Sequence, residues 1–164
     1  TRSYQENIVM PLIQAGLEKR ERPRENFEIT GGGFIATGAT DEAVAEKVTW
    51  VRQRVGFYGS TRAYWPVLEQ HGLEDLGLKL HAMVKDGKWQ EMANEISDDV
   101  LDLFVIRGRH EEITDQVARR FTGLSDAIYA STAPDLGSDM PPDLIADIQR
   151  IPSVFQDFPV ADRA

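Results

Sequence analysis

The stretch Phe27 to Ala43, FEITGGGFIATGATDEA, sets the terms on which this chain can fold. An apolar segment carrying three consecutive glycines runs through a Thr-Gly turn into a helix, which is one strand-to-helix unit of an α/β protein. Gly31, Gly32 and Gly33 lack a Cβ, so backbone or ligand can approach closely and either a bulge or tight packing costs little there. Thr40 is placed to cap the helix that follows, with Asp41 and Glu42 beside the positive end of its dipole. In parallel sheets, function gathers at such strand exits. The chain contains few units of this kind, and that scarcity shapes the rest of its reading.

The remaining pattern is mostly helical. Ser3 followed by Glu6 forms a capping-box pattern ahead of Ile8, Val9, Leu12, Ile13 and Leu17. Pro11 removes an amide donor from that helix, which calls for a kink or for a helix proper that starts near Met10. From Asp41 onward Val44, Val48, Val51, Val55 and Tyr58 recur at three- and four-residue steps as a packed stripe ended by Gly59 and Ser60. Short helical pieces follow: one capped by Thr61 and running through Leu68, one bearing Leu76, Leu80, Met83 and Val84, then Trp89 to Ile96 and Asp98 to Phe104. Phe104 to Ile106 is a brief apolar run ending at Gly108, after which Ile113, Val117 and Phe121 mark another helix. Ser125 to Ser131 has the composition of a short buried strand centred on Ala127, Ile128 and Tyr129, and Pro141 and Pro142 open a last helix through Ile148. Thr132 to Met140 reads as a loop and the tail from Pro152 as irregular. This amounts to two strands, able to pair in parallel across a helical crossover, each lacking a partner on its other edge.

Charge and residue usage narrow the function classes. The chain of 164 residues has the length of one domain, and 18 basic against 27 acidic residues give a net charge of −9, which opposes a broad nucleic-acid footprint. The cluster Lys19, Arg20, Arg22 and Arg24 is broken by Glu18, Glu21 and Glu25 and reads as a solvated helix end. The absence of cysteine rules out disulfides and thiolate chemistry and agrees with a reducing compartment. No apolar run approaches the roughly 20 residues of a membrane span, so no membrane and a cytoplasmic location are expected.

Gly31 to Ala36 formally satisfies G-x-G-x-x-G/A, but strand residues Phe34 and Ile35 follow the glycines where a dinucleotide fingerprint would open a helix. Phosphate-loop, HExxH and G-x-S-x-G patterns are absent. His71, His81 and His110 are too far apart along separate elements to suggest a metal centre, and no metal is expected. The aromatic stretch Phe57 to Pro66, with Arg62 inside it, reads either as the lining of a pocket for a planar or anionic group or as a helix corner packed by rings. Arg107, Arg109 and His110 precede a helix, a placement suited to an anion or to solvated surface.

Val9-Met10-Pro11-Leu12, Gly38-Ala39-Thr40-Asp41-Glu42, Gly56 to Thr61 with Tyr64, Pro66 to Glu69, His71-Gly72, Trp89 to Met92 and Val100-Leu101-Asp102 together resemble the bacterial-luciferase-like oxidoreductase family, in particular its deazaflavin-using branch. The resemblance covers about residues 4 to 131. It implies a (β/α)8 TIM barrel of which this chain is the C-terminal portion: residues 1–164 are one incomplete, helix-dominated α/β domain with about two barrel strands. Phe27 to Thr37 is then the seventh strand, Asp41 to Asp102 an enlarged helical excursion, and Ala127 to Tyr129 part of the eighth.

The implied reaction is hydride transfer between coenzyme F-420, a deazaflavin, and a small organic substrate, with flavin mononucleotide (FMN) as the alternative cofactor. The family builds its coenzyme site mainly from earlier strands, so the resemblance assigns no catalytic or cofactor-binding residue to this chain. It does place Thr37, Gly38, Tyr58, Arg62, Arg107 and Ser131 as borders of the substrate pocket. Relatives usually carry Gly-Thr-Pro before the late helix, where this chain has Gly108-Arg109-His110, which detaches that turn from any family role. Alone, the chain is expected to be inactive and, through its open strand edges, to form a homo-oligomer. A second reading, a non-enzymatic acidic association module, uses the aromatic stretch as a partner surface.

Overall fold

The computed structural model describes residues 1–131 and 140–158. Three parallel strands, β1 (Thr30–Gly38), β2 (Val105–Arg109) and β3 (Ala127–Ser131), form one sheet in the order β2-β1-β3. Residue Phe34 of β1 pairs with Val105 and Gly38 with Arg109 on one side, while Thr30 pairs with Ala127 and Phe34 with Ser131 on the other. The two neighbours therefore grip different halves of β1, β2 its exit and β3 its entry.

Side chains alternate across a strand, and β1 has an apolar residue for each face. Ala36 and Val105 face α3 (Asp41–Gly59), α5 (Glu74–Lys85) and α6 (Asp98–Asp102), packing with Val51, Val55, Leu80 and Leu101. Ile35 and Ile106 face α7 (His110–Phe121) and α8 (Pro142–Gln149), packing with Ile113, Val117, Phe121 and Leu144. Fully buried side chains such as Ile35, Leu80, Leu101 and Ile113 contribute roughly 2 kcal/mol each, several times what an exposed ion pair provides, so these two cores decide the arrangement. A closed (β/α)8 ring keeps its helices on the outside only. In this chain both faces of the sheet are covered.

The parallel α/β class, the helix-dominated content, and the adjacency of the 27–37 and 127–129 strands agree with the sequence reading of a partial barrel. Between them, α3, α4 (Trp65–Glu69), α5 and α6 form the helical excursion. The number of strands does not agree: Val105–Arg109 is a third strand. Its apolar part is short, and Arg107, Gly108 and Arg109 owe their extended form to pairing with β1 rather than to local preference. As a result β1 is partnered on both edges, and among the described residues the open edges belong to β2 and β3. The strand β3 is also less buried than its sequence suggests, with Tyr129 75% exposed.

At the start of the chain the cap is Thr1, whose hydroxyl accepts from the Tyr4 N–H, and not Ser3; Glu6 instead pairs with Arg2. The helix runs from α1 (Arg2–Tyr4) through a widened π turn at Gln5–Val9 into α2 (Met10–Lys19). Met10 N–H reaches back to Gln5 O in that turn, which takes up the register change required by the missing donor of Pro11. Thr61 makes no side-chain cap; a short 3-10 turn at Arg62–Tyr64 leads into α4. Residues 132–139 of the expected loop and 159–164 of the tail lie outside the described residues.

The glycine triplet is extended throughout and serves close packing. A Cβ on Gly31 would come 2.3 Å from Ser125 Oγ, and one on Gly33 would meet Phe121 at 3.4 Å. These positions seat the turn between α7 and β3.

One carboxylate ties the chain's distant parts together. Asp126, whose side chain is 2% exposed, accepts from Arg24 Nη2 at 2.7 Å, Ile29 N–H at 2.8 Å, Ser153 Oγ at 2.9 Å, Val154 N–H at 3.1 Å and Phe155 N–H at 2.9 Å. Burial alone would raise its pKa. The hydrogen bonds from Ile29, Phe155, Arg24 and Ser153 outweigh burial and hold it below the usual carboxylate value. A folded-state pKa below the unfolded one gives stability that is present above about pH 4 and lost as pH falls through the folded value. Asp126→Ala should lower unfolding free energy by about 3 kcal/mol in urea titrations at pH 7. Asp126→Asn should cost less and should show a shallower loss of stability between about pH 4 and pH 2 than the parent.

Candidate functional site at the strand exits

When two neighbouring parallel strands send their helices to opposite faces, a crevice opens between them at their carboxyl ends, and ligands of open α/β sheets bind there. β1 and β2 meet that condition, because α3 leaves to one face and α7 to the other. Thr37 pairs with Gly108 and Gly38 with Arg109 across the crevice. The first turns of α3 and α7 frame it, with the positive ends of their dipoles toward the crevice.

Gly38 allows this convergence. A Cβ there would lie 2.7 Å from Ala43 Cβ and 3.3 Å from Val44 N, so the strand exit can touch the first turn of α3 only without a side chain. Thr40 caps that helix by accepting from the Ala43 N–H at 3.3 Å. Lys47, one turn further on, reaches back to donate to Thr37 O at 2.7 Å.

Two polar pairs cross between the strands' connections. Thr37, 2% exposed, shares a 3.0 Å hydrogen bond between its hydroxyl and His110 Nδ1 at the start of α7. Arg109 makes a two-pronged ion pair with Asp41, each prong 2.7 Å, linking the start of α7 to the start of α3. The hydrogen bond from Arg109 holds the Asp41 carboxyl below its usual range, and the Arg109 guanidinium is correspondingly raised. Arg109 N–H also donates to Glu112 Oε2 at 2.7 Å, closing the first turn of α7. Glu42 is lowered first by its own backbone N–H and then by the Thr40 hydroxyl. The resulting cleft has a volume of about 260 Å³ and is lined by Asp41, Val48, Arg107, Gly108, Arg109 and Glu112. Its polar lining is the carboxylate-bound guanidinium of Arg109 with Asp41, Arg107 and Glu112; the Thr37–His110 pair lies at the same strand exits but does not line this cleft.

The six substrate-border residues fall in three places. Thr37, Gly38 and Arg107 gather at the crevice, although the Arg107 guanidinium turns away to Asp102 at 2.7 Å and Asp98 at 3.7 Å. Tyr58 sits at the far end of α3, about 16 Å along the helix from Lys47 at 1.5 Å per residue, and Arg62 lies beyond it in the 3-10 turn that follows. There Tyr58 packs on Phe34 and Tyr64, and Arg62 lies over the Trp65 ring at 5.6 Å. The backbone of Ser131 pairs with Phe34, three residues short of the exit at Thr37. His110, Arg109, Asp41 and Lys47 belong to the crevice and were not among the six. The departure at Gly108-Arg109-His110 was the signal for the first two; only the fold brings Asp41 and Lys47 there.

Among the described residues no group of three or more potential metal ligands is clustered, and no helix is long and apolar enough to cross a membrane. Residues 2–126 match the family model described as luciferase-like monooxygenase. Uncharacterized proteins of Mycobacterium bovis and Mycobacterium tuberculosis are 36% identical to the chain over 128 residues, covering 78% of it. The matched region is 38% of the relatives' length, so the chain spans well under half of the curated proteins it resembles.

Replacing Thr37 with Val should lower stability by about 1 kcal/mol, because it removes the hydrogen bond between the buried Thr37 hydroxyl and His110 Nδ1. Thr37→Ser should keep the bond and most of the stability. Chemical denaturation of the three proteins side by side checks this.

Proposed function

The chain belongs to the luciferase-like monooxygenase family, and on that premise we propose that it is the C-terminal portion of an oxidoreductase whose cofactor is coenzyme F-420 and whose reaction is hydride transfer with a small organic substrate. The observation that carries this reading is the family match over residues 2–126, with the order of motifs that resembles the deazaflavin branch. FMN is the second cofactor reading, since the same family frame accommodates it.

The residues present do not by themselves fit such a cofactor. A deazaflavin or flavin needs a platform for its ring system and donors for its phosphate-bearing tail. At the strand exits Arg109 is held by Asp41, Arg107 by Asp102 and Asp98, and Lys47 by Thr37 O. The cations nearest the crevice are thus engaged by the chain itself. In the proposed division of labour this chain supplies a wall of the substrate pocket at Thr37 and Gly38, and the remainder of the protein grips the cofactor. The protein is proposed to act in the cytoplasm, without nucleic-acid or membrane partners.

Incubated with reduced F-420 or reduced FMN and candidate carbonyl or alkene substrates, the isolated chain should show no substrate-dependent oxidation above buffer, read by cofactor absorbance. A catalytic rate would overturn the proposed division of labour. The open edges of β2 and β3 are proposed to promote self-association; light scattering should report a species larger than a monomer, and a stable monomer across a range of concentrations would refute this.

A further inference from the structure

The cleft between α3 and β2 carries a charge pairing that the substrate wall at Thr37 does not use. Side chains alternate along a strand, so Arg107 and Arg109 project with Val105 toward α3, whereas Thr37 turns with Ile35 toward α7. The cleft, about 260 Å³ in volume, therefore lies on the opposite face of the sheet from the Thr37 hydroxyl. That volume is below the usual range of drug-sized ligand sites and suits a molecule of about ten heavy atoms. On the α3 side its wall is aliphatic, made by Val44, Ala45 and Val48.

Opposite that wall the charges balance, Arg107 and Arg109 against Asp41 and Glu112. Arg107 is taken up by both oxygens of Asp102. Glu112 accepts from the Arg109 N–H at 2.7 Å and is seated over Gly108, where φ is +153° and a Cβ would come 2.6 Å from Glu112 Oε2. The Arg109–Asp41 pair is different, because its side chains stay 46% and 75% exposed. It uses Nε and Nη2 of Arg109, and among the described residues no partner bonds Nη1. Each Asp41 oxygen accepts one of these bonds and keeps a second lone pair. A donor on a cation and acceptors on an anion thus stand side by side, next to an aliphatic wall.

We propose that this cleft binds the zwitterion of a free α-amino acid with a small aliphatic side chain. The ligand carboxylate takes Arg109 Nη1, its ammonium donates to Asp41, and its side chain lies on Val44 and Val48. A simple anion would face Asp41 and Glu112, and a simple cation would face Arg107 and Arg109; a molecule carrying both charges close together meets neither repulsion. Because the pair is exposed to water, these contacts set selectivity more than affinity. The inference concerns binding by this chain alone, needs no cofactor, and stands independently of the oxidoreductase reading.

NMR titration of the isotope-labelled full chain with L-leucine tests it. Saturable shifts are expected at the amides of residues 41–48 and 107–112, with a dissociation constant of roughly 1 mM. N-acetyl-L-leucine, which lacks the ammonium, and L-leucinamide, which lacks the carboxylate, should each bind about tenfold more weakly. Glycine, which has no side chain for the wall, should bind about fivefold more weakly. Asp41→Asn should weaken leucine binding about tenfold without weakening N-acetyl-L-leucine. Val48→Ala should weaken leucine about threefold and leave glycine unchanged, and the amide spectra establish that both variants remain folded. Absence of saturable shifts, shifts confined to other residues, equal affinity for either blocked compound, or leucine binding unchanged in both folded variants would each overturn the proposal.

Discussion

Right-handed crossover between parallel strands is the constraint from which the arrangement follows. β1 stands in the middle of the sheet, so the chain crosses to one side to reach β2 and then must cross back over β1 to reach β3. Two crossovers of the same hand in opposite directions put their helices on opposite faces. That is why β1 and β2 carry apolar residues on both faces, Ala36 and Val105 toward α3, Ile35 and Ile106 toward α7. It is also why a crevice exists at all: helices that diverge from adjacent strands leave a gap which helices on one face would close.

Long-range polar contacts sit where apolar packing cannot hold the chain. Asp126 gathers the segment before β1 and the segment after α8 around the entry of β3, using a side chain that is buried but fully supplied with donors. Arg120, at the end of α7, donates to the carbonyls of Asp102, Leu103 and Val105 and so fastens α7 to the entry of β2. Each is a charged group satisfied mostly by backbone, the form in which a partly buried charge costs least.

Much of this was legible in the residues. The strand at 30–38, the helix from Asp41 to Gly59 with its Thr40 cap, the α7 stripe of Ile113, Val117 and Phe121, and the strand at 127–131 all follow from period and punctuation. The π turn before Pro11 is the local answer to a missing donor that the sequence announced. β2 was not legible, because a three-residue apolar run followed by Arg-Gly-Arg carries no alternation and becomes a strand only beside β1. The grouping of site residues was half legible. Thr37 and Gly38 do stand at an exit, but Tyr58 and Arg62, which look near in sequence to the same helix, are carried away by its length. Side-chain pairs such as Thr37 with His110 and Asp41 with Arg109 join positions about seventy apart and have no local signature.

The helix α3 has neither glycine nor proline between Asp41 and Val55, and its first turn rests on Gly38 with no side chain between. That stretch lacks the glycine and proline at which helices kink sharply. Lys47 ties its upper part to the carbonyl of Thr37, while Tyr58 near its foot leans on Phe34 of the same strand. Sliding of this helix along β1 would therefore disturb the ion pair at Asp41 and the contact of Tyr58 with Phe34 together, so the strand exit and the aromatic corner share one support.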